Sequence, residues 1–377
     1  MRNRSTNILI NFQGRHGAGA ACALSWAKGF KKIGCNVYAA ISNEVDDVEE
    51  WTSLLGNDHI AWINLYKDKD HFDFALSTLK FLFIDSFKIR KQFSNIKFDI
   101  VLKTLYCHWS FIVNKRVKSE HRVTLVHDPE LHSGEKRYIA YLYKKYVQDA
   151  TDVFVLTKSF KPIVQKNYGI SPDHIFYVPH GRMNMYMDKY DGSKPYTPRN
   201  CQFHIVFFGA IKEYKGLHVL AKACFLLSQK RKDFEVVVAG SGNFKPYMEE
   251  FDLLPNATII NRFISDEEVG GLFNVPGTIC VIPYIDATQS GVIPIAYEYG
   301  TPIVASNTGG LKEQLDNGNI GLLFENRNPQ ELADKLECLM SNSGEYVRQQ
   351  RIMKQYKISL DWDKVAALFL HELYGKD

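Results

Sequence analysis

Lys212 and Lys215 stand three residues apart, just after the apolar run Phe203–Phe208, in Phe208-Gly-Ala-Ile-Lys-Glu-Tyr-Lys-Gly216. Two ammonium groups in such a loop are well placed to neutralise a diphosphate as point charges, although lysine composition alone also suits a solvated loop. Farther along, Asp286-Ala-Thr-Gln-Ser-Gly-Val292 follows the apolar run Ile279–Ile285 and opens a helix at Ser290-Gly291. A helix N-terminus gathers unpaired N–H groups and the positive end of the dipole, so a phosphate or diphosphate is expected there. In the first half, Gly14-Arg-His-Gly-Ala-Gly19 separates an apolar run from a helical pattern. Glycines at this point let backbone approach a phosphate, and the stretch from Gly17 nearly matches a dinucleotide fingerprint, with Glu44 ending the second strand; such turns also serve helix–strand packing. His127 and Asp128 follow Val123–Val126, in His127-Asp-Pro-Glu-Leu-His132, where His127 is a candidate for polar contact at a reacting centre or a structural histidine. His16 and His108 stand at comparable ends. No His pair is joined by a carboxylate at helical spacing, so no metal site is expected.

The elements that must position these residues are short apolar, β-branched runs alternating with longer helical patterns. That alternation predicts an α/β protein with parallel sheets and crossover helices. Strand candidates in the first half are Ile8–Phe12, Asn36–Ile41, Ile60–Leu65, Ile100–Thr104, Val123–Val126, Val153–Leu156 and Ile175–Val178. The series restarts at Phe203–Phe208 and continues with Glu235–Ala239, Ala257–Ile260, Ile279–Ile282, Pro302–Ala305 and Gly321–Phe324. Two doubly wound domains follow, over 1–185 and 200–360, with the polar Met185–Cys201 read as a linker. The apolar-periodic helix within 361–377 is expected to cross back to the first domain. Open α/β sheets bind ligands beyond the carboxyl ends of their strands, so the chemistry is expected in a cleft between two such sheets.

A length of 377 residues with 45% apolar composition suits two cores. Seven scattered cysteines with no CxxC point to a reducing compartment. The first strand starts almost at once, leaving no room for a signal peptide, and no apolar run approaches the roughly 18 residues that span a bilayer, so a cytoplasmic location is expected. Residues 1–194 carry 28 Lys+Arg against 20 Asp+Glu. Basic runs such as Lys88-Ile-Arg-Lys91 and Lys115-Arg-Val-Lys118 fit either an anionic lipid surface, as for a membrane-peripheral protein, or solvated helix faces. Nucleic acid is disfavoured, because the basic excess is modest.

Taken in order, these pieces resemble the retaining GT-B glycosyltransferases of family 4 across nearly the whole chain. The resemblance is carried by Gly17 and Gly34-Cys-Asn-Val37, Thr124-Leu-Val-His-Asp128, Ala150–Ser159, Val178-Pro-His-Gly181, Phe208–Gly216, Pro283-Tyr284, Ser290–Pro302 and Gly309-Gly310. It implies two Rossmann-like domains facing across a cleft. A nucleoside-diphosphate sugar would be the donor, and a hydroxyl of a glycan or lipid-linked acceptor would receive the sugar with retained configuration. It further implies that Lys212, Lys215, Gly17 and the amides of Ser290, Gly291 and Val292 hold the diphosphate, that His127 and Asp128 act at the sugar, and that metal is dispensable. The family's commonest members carry two glutamates with seven residues between them; this chain has Thr288 and Ala296, or Ala287 and Ile295, at those places. Asp286 or Gln289 is the expected replacement at the sugar and Glu298 at the ribose. Three rival readings are an epimerase or hydrolase of the same fold, a nicotinamide-dependent oxidoreductase using the Gly14–Gly19 loop, and a non-catalytic nucleotide- or glycan-binding subunit.

Overall fold

The computed structural model describes residues 5–67, 71–129 and 137–375. Glu130, Leu131 and His132 of the motif beginning at His127 lie outside these residues. The chain forms two compact units, Met1–Gly181 with Asp361–Asp377, and Arg182–Leu360.

Unit 1 holds a seven-stranded parallel sheet of β1 (Asn7–Phe12), β2 (Asn36–Ser42), β3 (Ile60–Ile63), β4 (Lys97–Lys103), β5 (Lys118–Val126), β6 (Asp152–Val155) and β7 (Ile175–Tyr177), in the order β3-β2-β1-β4-β5-β6-β7. Unit 2 holds a six-stranded parallel sheet of β8 (Phe203–Phe208), β9 (Phe234–Ala239), β10 (Ala257–Ile260), β11 (Thr278–Ile282), β12 (Ile303–Ser306) and β13 (Leu322–Phe324), in the order β10-β9-β8-β11-β12-β13. Helices cover both faces, so the central strands are buried on both sides: every residue of β9 and of β11 is buried. Strand order reverses between β1 and β4 in unit 1 and between β8 and β11 in unit 2. In an open α/β sheet the ligand crevice lies beside that reversal, beyond the carboxyl ends.

The helix Trp362–Tyr374 belongs to unit 1, where it packs on the helix Ala18–Lys32. Trp26 meets Trp362 and Phe369 with ring centroids 5.3 and 5.4 Å apart, and the Lys32 ammonium lies 2.7 Å from the Asp363 carboxylate. Met185–Cys201, expected as a linker, instead packs on unit 2. Tyr186 is buried with the unit's core, the Tyr196 hydroxyl donates to Glu235, and the Tyr190 ring fills the space where a side chain on Gly270 would sit. Tyrosines carry apolar area and a polar tip, so a segment polar by composition still supplies packing surface.

Candidate functional site

The best-defined polar constellation lies at the strand-order reversal of unit 2. The loop after β8 ends in a tight turn at Gly216, whose φ is +69° and whose Cβ, if present, would sit 1.9 Å from the Pro283 carbonyl oxygen. Only glycine permits that approach, which presses the lysine loop against the residues following β11. The Ile285 amide donates to the Tyr214 carbonyl at 2.8 Å and ties the two loops together. Lys215 Nζ thereby comes to rest 3.7 Å from the centre of the Tyr284 ring and 5.1 Å from that of Tyr214, while the exposed Lys212 reaches within 5.9 Å of Tyr214. Aromatic faces orient an ammonium without neutralising it, since the ring carries a quadrupole and no net charge.

Beneath this pair Tyr284 is buried, and burial pushes its phenol above the usual range; its hydroxyl lies 3.2 Å from Ser290 Oγ. Ser290 is fixed in turn by Gln314, which accepts from the Ser290 amide at 2.8 Å and donates to the Ser290 carbonyl at 3.2 Å. Ser290 Oγ accepts from the Val292 amide at 3.3 Å. Two of the three backbone amides expected to bind a diphosphate are thus engaged internally, and Gly291 is exposed at the start of the helix Val292–Tyr299. Gly309, with φ +48°, brings the loop after β12 so near that a Cβ would lie 1.6 Å from the Ala287 carbonyl oxygen. Gln314 and Gly309 therefore fix how the loops after β11 and β12 meet. Asp286 is exposed and Gln289 half-buried in the same turn.

Glu298 lies elsewhere. Its carboxylate is buried in a two-pronged pair with Arg182, at 2.8 Å from Nε and 2.7 Å from Nη2, and Lys357 donates to its carbonyl at 2.9 Å. The Arg182 amide also donates to the Leu360 carbonyl, so Glu298 pins the first and last residues of unit 2. A ribose contact from Glu298 would require breaking that pair, and the expected role is replaced by an anchoring one.

In unit 1 the Gly17 amide donates at 2.8 Å to the Asp46 carboxylate, which also lies 2.7 Å from His16 Nδ1. The protein's own carboxylate occupies the seat expected for a phosphate at the start of the helix Ala18–Lys32. Arg15 pairs with Glu44 at 2.6 Å, which takes up the acid that a dinucleotide fingerprint would offer to a ribose.

His127 sits at the end of β5, half-buried, with Nε2 2.9 Å from the Thr104 carbonyl oxygen. A carbonyl only accepts, so Nε2 carries the proton. Burial holds the imidazole below the usual histidine range, outweighing the Thr104 bond and the neighbouring Asp128 charge. His127 is therefore neutral near pH 7. His180, at the end of the next strands, has its ring 6.3 Å from that of His127; burial, aided by His127, lowers it to about 4. Asp128 is half-buried beside His127. Lys103, buried one residue before Thr104, donates to the Tyr146 carbonyl at 2.6 Å and lies 3.3 Å from Asp149; burial lowers its ammonium to about 8.

A cluster with metal-ligand chemistry occurs at the opposite edge of the unit 2 sheet, where ligand atoms of Cys201, His204 and Glu235 lie within 4.8 Å of one another. Glu235 already receives His204 at 2.6 Å, the Tyr196 hydroxyl at 3.2 Å and the Arg199 amide at 3.3 Å, with the Arg199 guanidinium 3.8 Å away. Arg199 supplies the positive charge that a cation would bring, and the cluster is a satisfied buried acid.

Comparison with known proteins adds the family. Residues 20–182 match the model described as Glycosyltransferase Family 4, and residues 202–342 match that of Glycosyl transferases group 1. The chain belongs to the family 4, group 1 glycosyltransferases. A D-inositol 3-phosphate glycosyltransferase of Paenarthrobacter aurescens is 28% identical over 45% of this chain and 43% of its own length. The corresponding enzyme of an Arthrobacter species is 26% identical over 69% of this chain and 64% of its own. The chain thus spans less than two thirds of these relatives. Among solved structures, a glycosyltransferase of Rickettsia africae superposes with a TM-score of 0.68 at 19% identity, covering 99% of this chain and 98% of that one. The Anabaena HepE protein in complex with UDP and glucose gives 0.66 at 14% identity, covering 99% and 100%. The fold is GT-B. No helix among the described residues is long and apolar enough to cross a membrane.

Proposed function

We propose that the protein transfers a sugar from a nucleoside-diphosphate sugar to a hydroxyl of a glycan or lipid-linked acceptor, with retention of anomeric configuration. Its role is in surface polysaccharide synthesis, as a cytoplasmic, membrane-peripheral enzyme. The observation that carries this reading is the Lys215 ammonium held over Tyr284 at the carboxyl edge of unit 2, beside Ser290 and Gly291. Charge develops on the diphosphate as it leaves, so a pre-set ammonium stabilises the transition state more than the ground state, and no metal is needed for that task. Lys212 adds long-range attraction, and Asp286 or Gln289 contacts the sugar. Unit 2 is the donor domain and unit 1 the acceptor domain, where neutral His127 and Asp128 serve the reacting centre. The family membership supports sugar transfer. A capsular polysaccharide biosynthesis glycosyltransferase of Staphylococcus aureus, 23% identical over 64% of this chain and 68% of its own, supports the polysaccharide role.

The test is thermal stabilisation by UDP, GDP, ADP, CMP and dTDP, followed by turnover of the matching sugar nucleotide with and without acceptor. A ligand bound only by the folded state at 100 times its Kd adds about 2.7 kcal/mol, so one base should stand out. Stabilisation by none of them contradicts the reading, and donor turnover that ignores added acceptor replaces it by epimerisation or hydrolysis.

A further inference from the structure

Unit 1 contains an apolar cavity of about 430 Å³, lined by Phe74, Tyr106, Trp109, Phe111, Leu142 and Tyr146 together with Lys115 and Lys145. This volume lies in the range of small-molecule sites. Its floor is the segment that follows β4: the Thr104 carbonyl accepts from His127, the Leu105 carbonyl accepts from Tyr146 at 2.7 Å, and Tyr106 to Trp109 then line the cavity. The wall is rigid, because Trp109 stacks on Phe81 at 4.6 Å and donates to Thr78 at 3.0 Å. The cavity opens to solvent between two helices: Phe111 on Ser110–Arg116 and Leu142 on Arg137–Gln148, both in its lining, are 43% and 40% exposed. Large apolar side chains held at the mouth of a hollow suit an apolar occupant.

Charge selects the occupant. Asp149, the acid in the lining, is spent on Asn114 at 2.6 Å and Lys103 at 3.3 Å. Lys115 and Lys145 meet no carboxylate among the described residues; each ammonium lies 5.7 Å from the centre of an aromatic ring, Phe111 and Tyr141 respectively. An apolar hollow rimmed by two such cations suits an amphiphile with an anionic head. We infer that this cavity takes the apolar chain of a lipid acceptor whose head carries a phosphate, with Lys115 and Lys145 at the phosphate. The path along Thr104–Trp109 then leads from that chain to His127. That the amphiphile is the acceptor rests on the sugar-transfer reading; the cavity's preference for it does not.

The probe is dodecyl phosphate, held below its micelle concentration and titrated calorimetrically into the full chain, with dodecyl maltoside and inorganic phosphate as comparisons. Dodecyl phosphate is expected to bind at least tenfold more tightly than either. Leu142→Asp and Phe111→Ser, at positions 40% and 43% exposed, are expected to weaken it at least tenfold while nucleotide stabilisation stays as in the parent. Lys115→Gln with Lys145→Gln should weaken it severalfold and flatten its salt dependence. Equal binding of the maltoside and the phosphate overturns the anionic head, and unchanged binding in Leu142→Asp and Phe111→Ser overturns the site. Binding to vesicles of anionic phospholipid without binding of monomeric dodecyl phosphate replaces chain capture by membrane docking and also overturns it. Loss of nucleotide stabilisation in the parent protein would strike the sugar-transfer reading alone.

Discussion

The two units place a glycine-rich loop at the same topological point, after the first strand of each sheet, yet they treat its charges differently. After β1, Arg15 meets Glu44, and Asp46 takes both His16 and the Gly17 amide, so acids from beyond β2 answer the loop's donors. After β8, Lys212 and Lys215 come to rest against tyrosine faces. An internal carboxylate closes an anion seat, because a diphosphate would have to displace it against like-charge repulsion. A tyrosine face orients a cation without neutralising it. The same topology therefore yields a loop latched by acids in unit 1 and a loop seated on aromatic rings in unit 2.

Four tests break or sharpen this contrast, the first a comparison of two lysines. Lys215→Ala should cost about 10²- to 10³-fold in kcat for sugar transfer, the usual consequence of removing one pre-set charge-stabilising group, with an unchanged melting temperature. Lys212→Ala should cost less than about tenfold, since an exposed ammonium is screened by salt. Equal losses would mean that the tyrosine seating of Lys215 does not matter. Glu298→Gln should lower stability by about 2–3 kcal/mol, below the full cost of breaking a buried pair because Arg182 keeps 25% side-chain exposure. Its folded fraction should bind nucleotide as before. Lost nucleotide affinity with an unmoved urea midpoint would restore Glu298 to the ligand.

The third concerns pH. The unfolded chain protonates His180 near pH 6.5, whereas the folded chain refuses that proton until about 4, so the unfolded state binds more protons between those values. Stability therefore rises with pH from about 4 to 6.5 and is lost as pH falls through that window. Urea midpoints of the full chain should show this slope, on the order of 3 kcal/mol in all, and His180→Asn should flatten it. A variant that keeps the parental slope would remove the neutral His127–His180 pair from the account. The smallest effect belongs to Asp46→Ala, expected to cost about 1 kcal/mol of stability through loss of a helix-start acceptor. Transfer should stay within about twofold; a collapse of transfer would make the latched loop a ligand site after all.

Much of the fold was legible because parallel strands buried on both faces read as unbroken apolar runs, β9 and β11 most plainly. Where strands begin was less so. β5 starts at Lys118 rather than Val123, since its polar opening Lys-Ser-Glu-His-Arg pairs by backbone with β4, from Lys97 opposite Lys118 onward, and leaves no apolar signal. That Lys212 and Lys215 share one loop after β8 could be read from local spacing alone. The partners that decide Gly17 and Glu298 could not, because Asp46 lies 29 residues from Gly17 and Arg182 lies 116 residues from Glu298. Tyr284 and Gln314 were missed as supports for the same reason: their hydrogen bonds to Ser290 depend on how the loops after β11 and β12 meet. The cavity of unit 1 was equally hidden, assembled from three helices and a loop whose separate patterns show only exposed apolar residues.

Amide hydrogen exchange of the full chain, with and without the nucleoside diphosphate that stabilises it, tests the central contrast most directly. The account predicts slowed exchange in Gly209–Gly216 and Ile285–Val292 of unit 2 and none in Gly14–Gly19 of unit 1. Protection of Gly14–Gly19 with no change in the two unit 2 segments would contradict it.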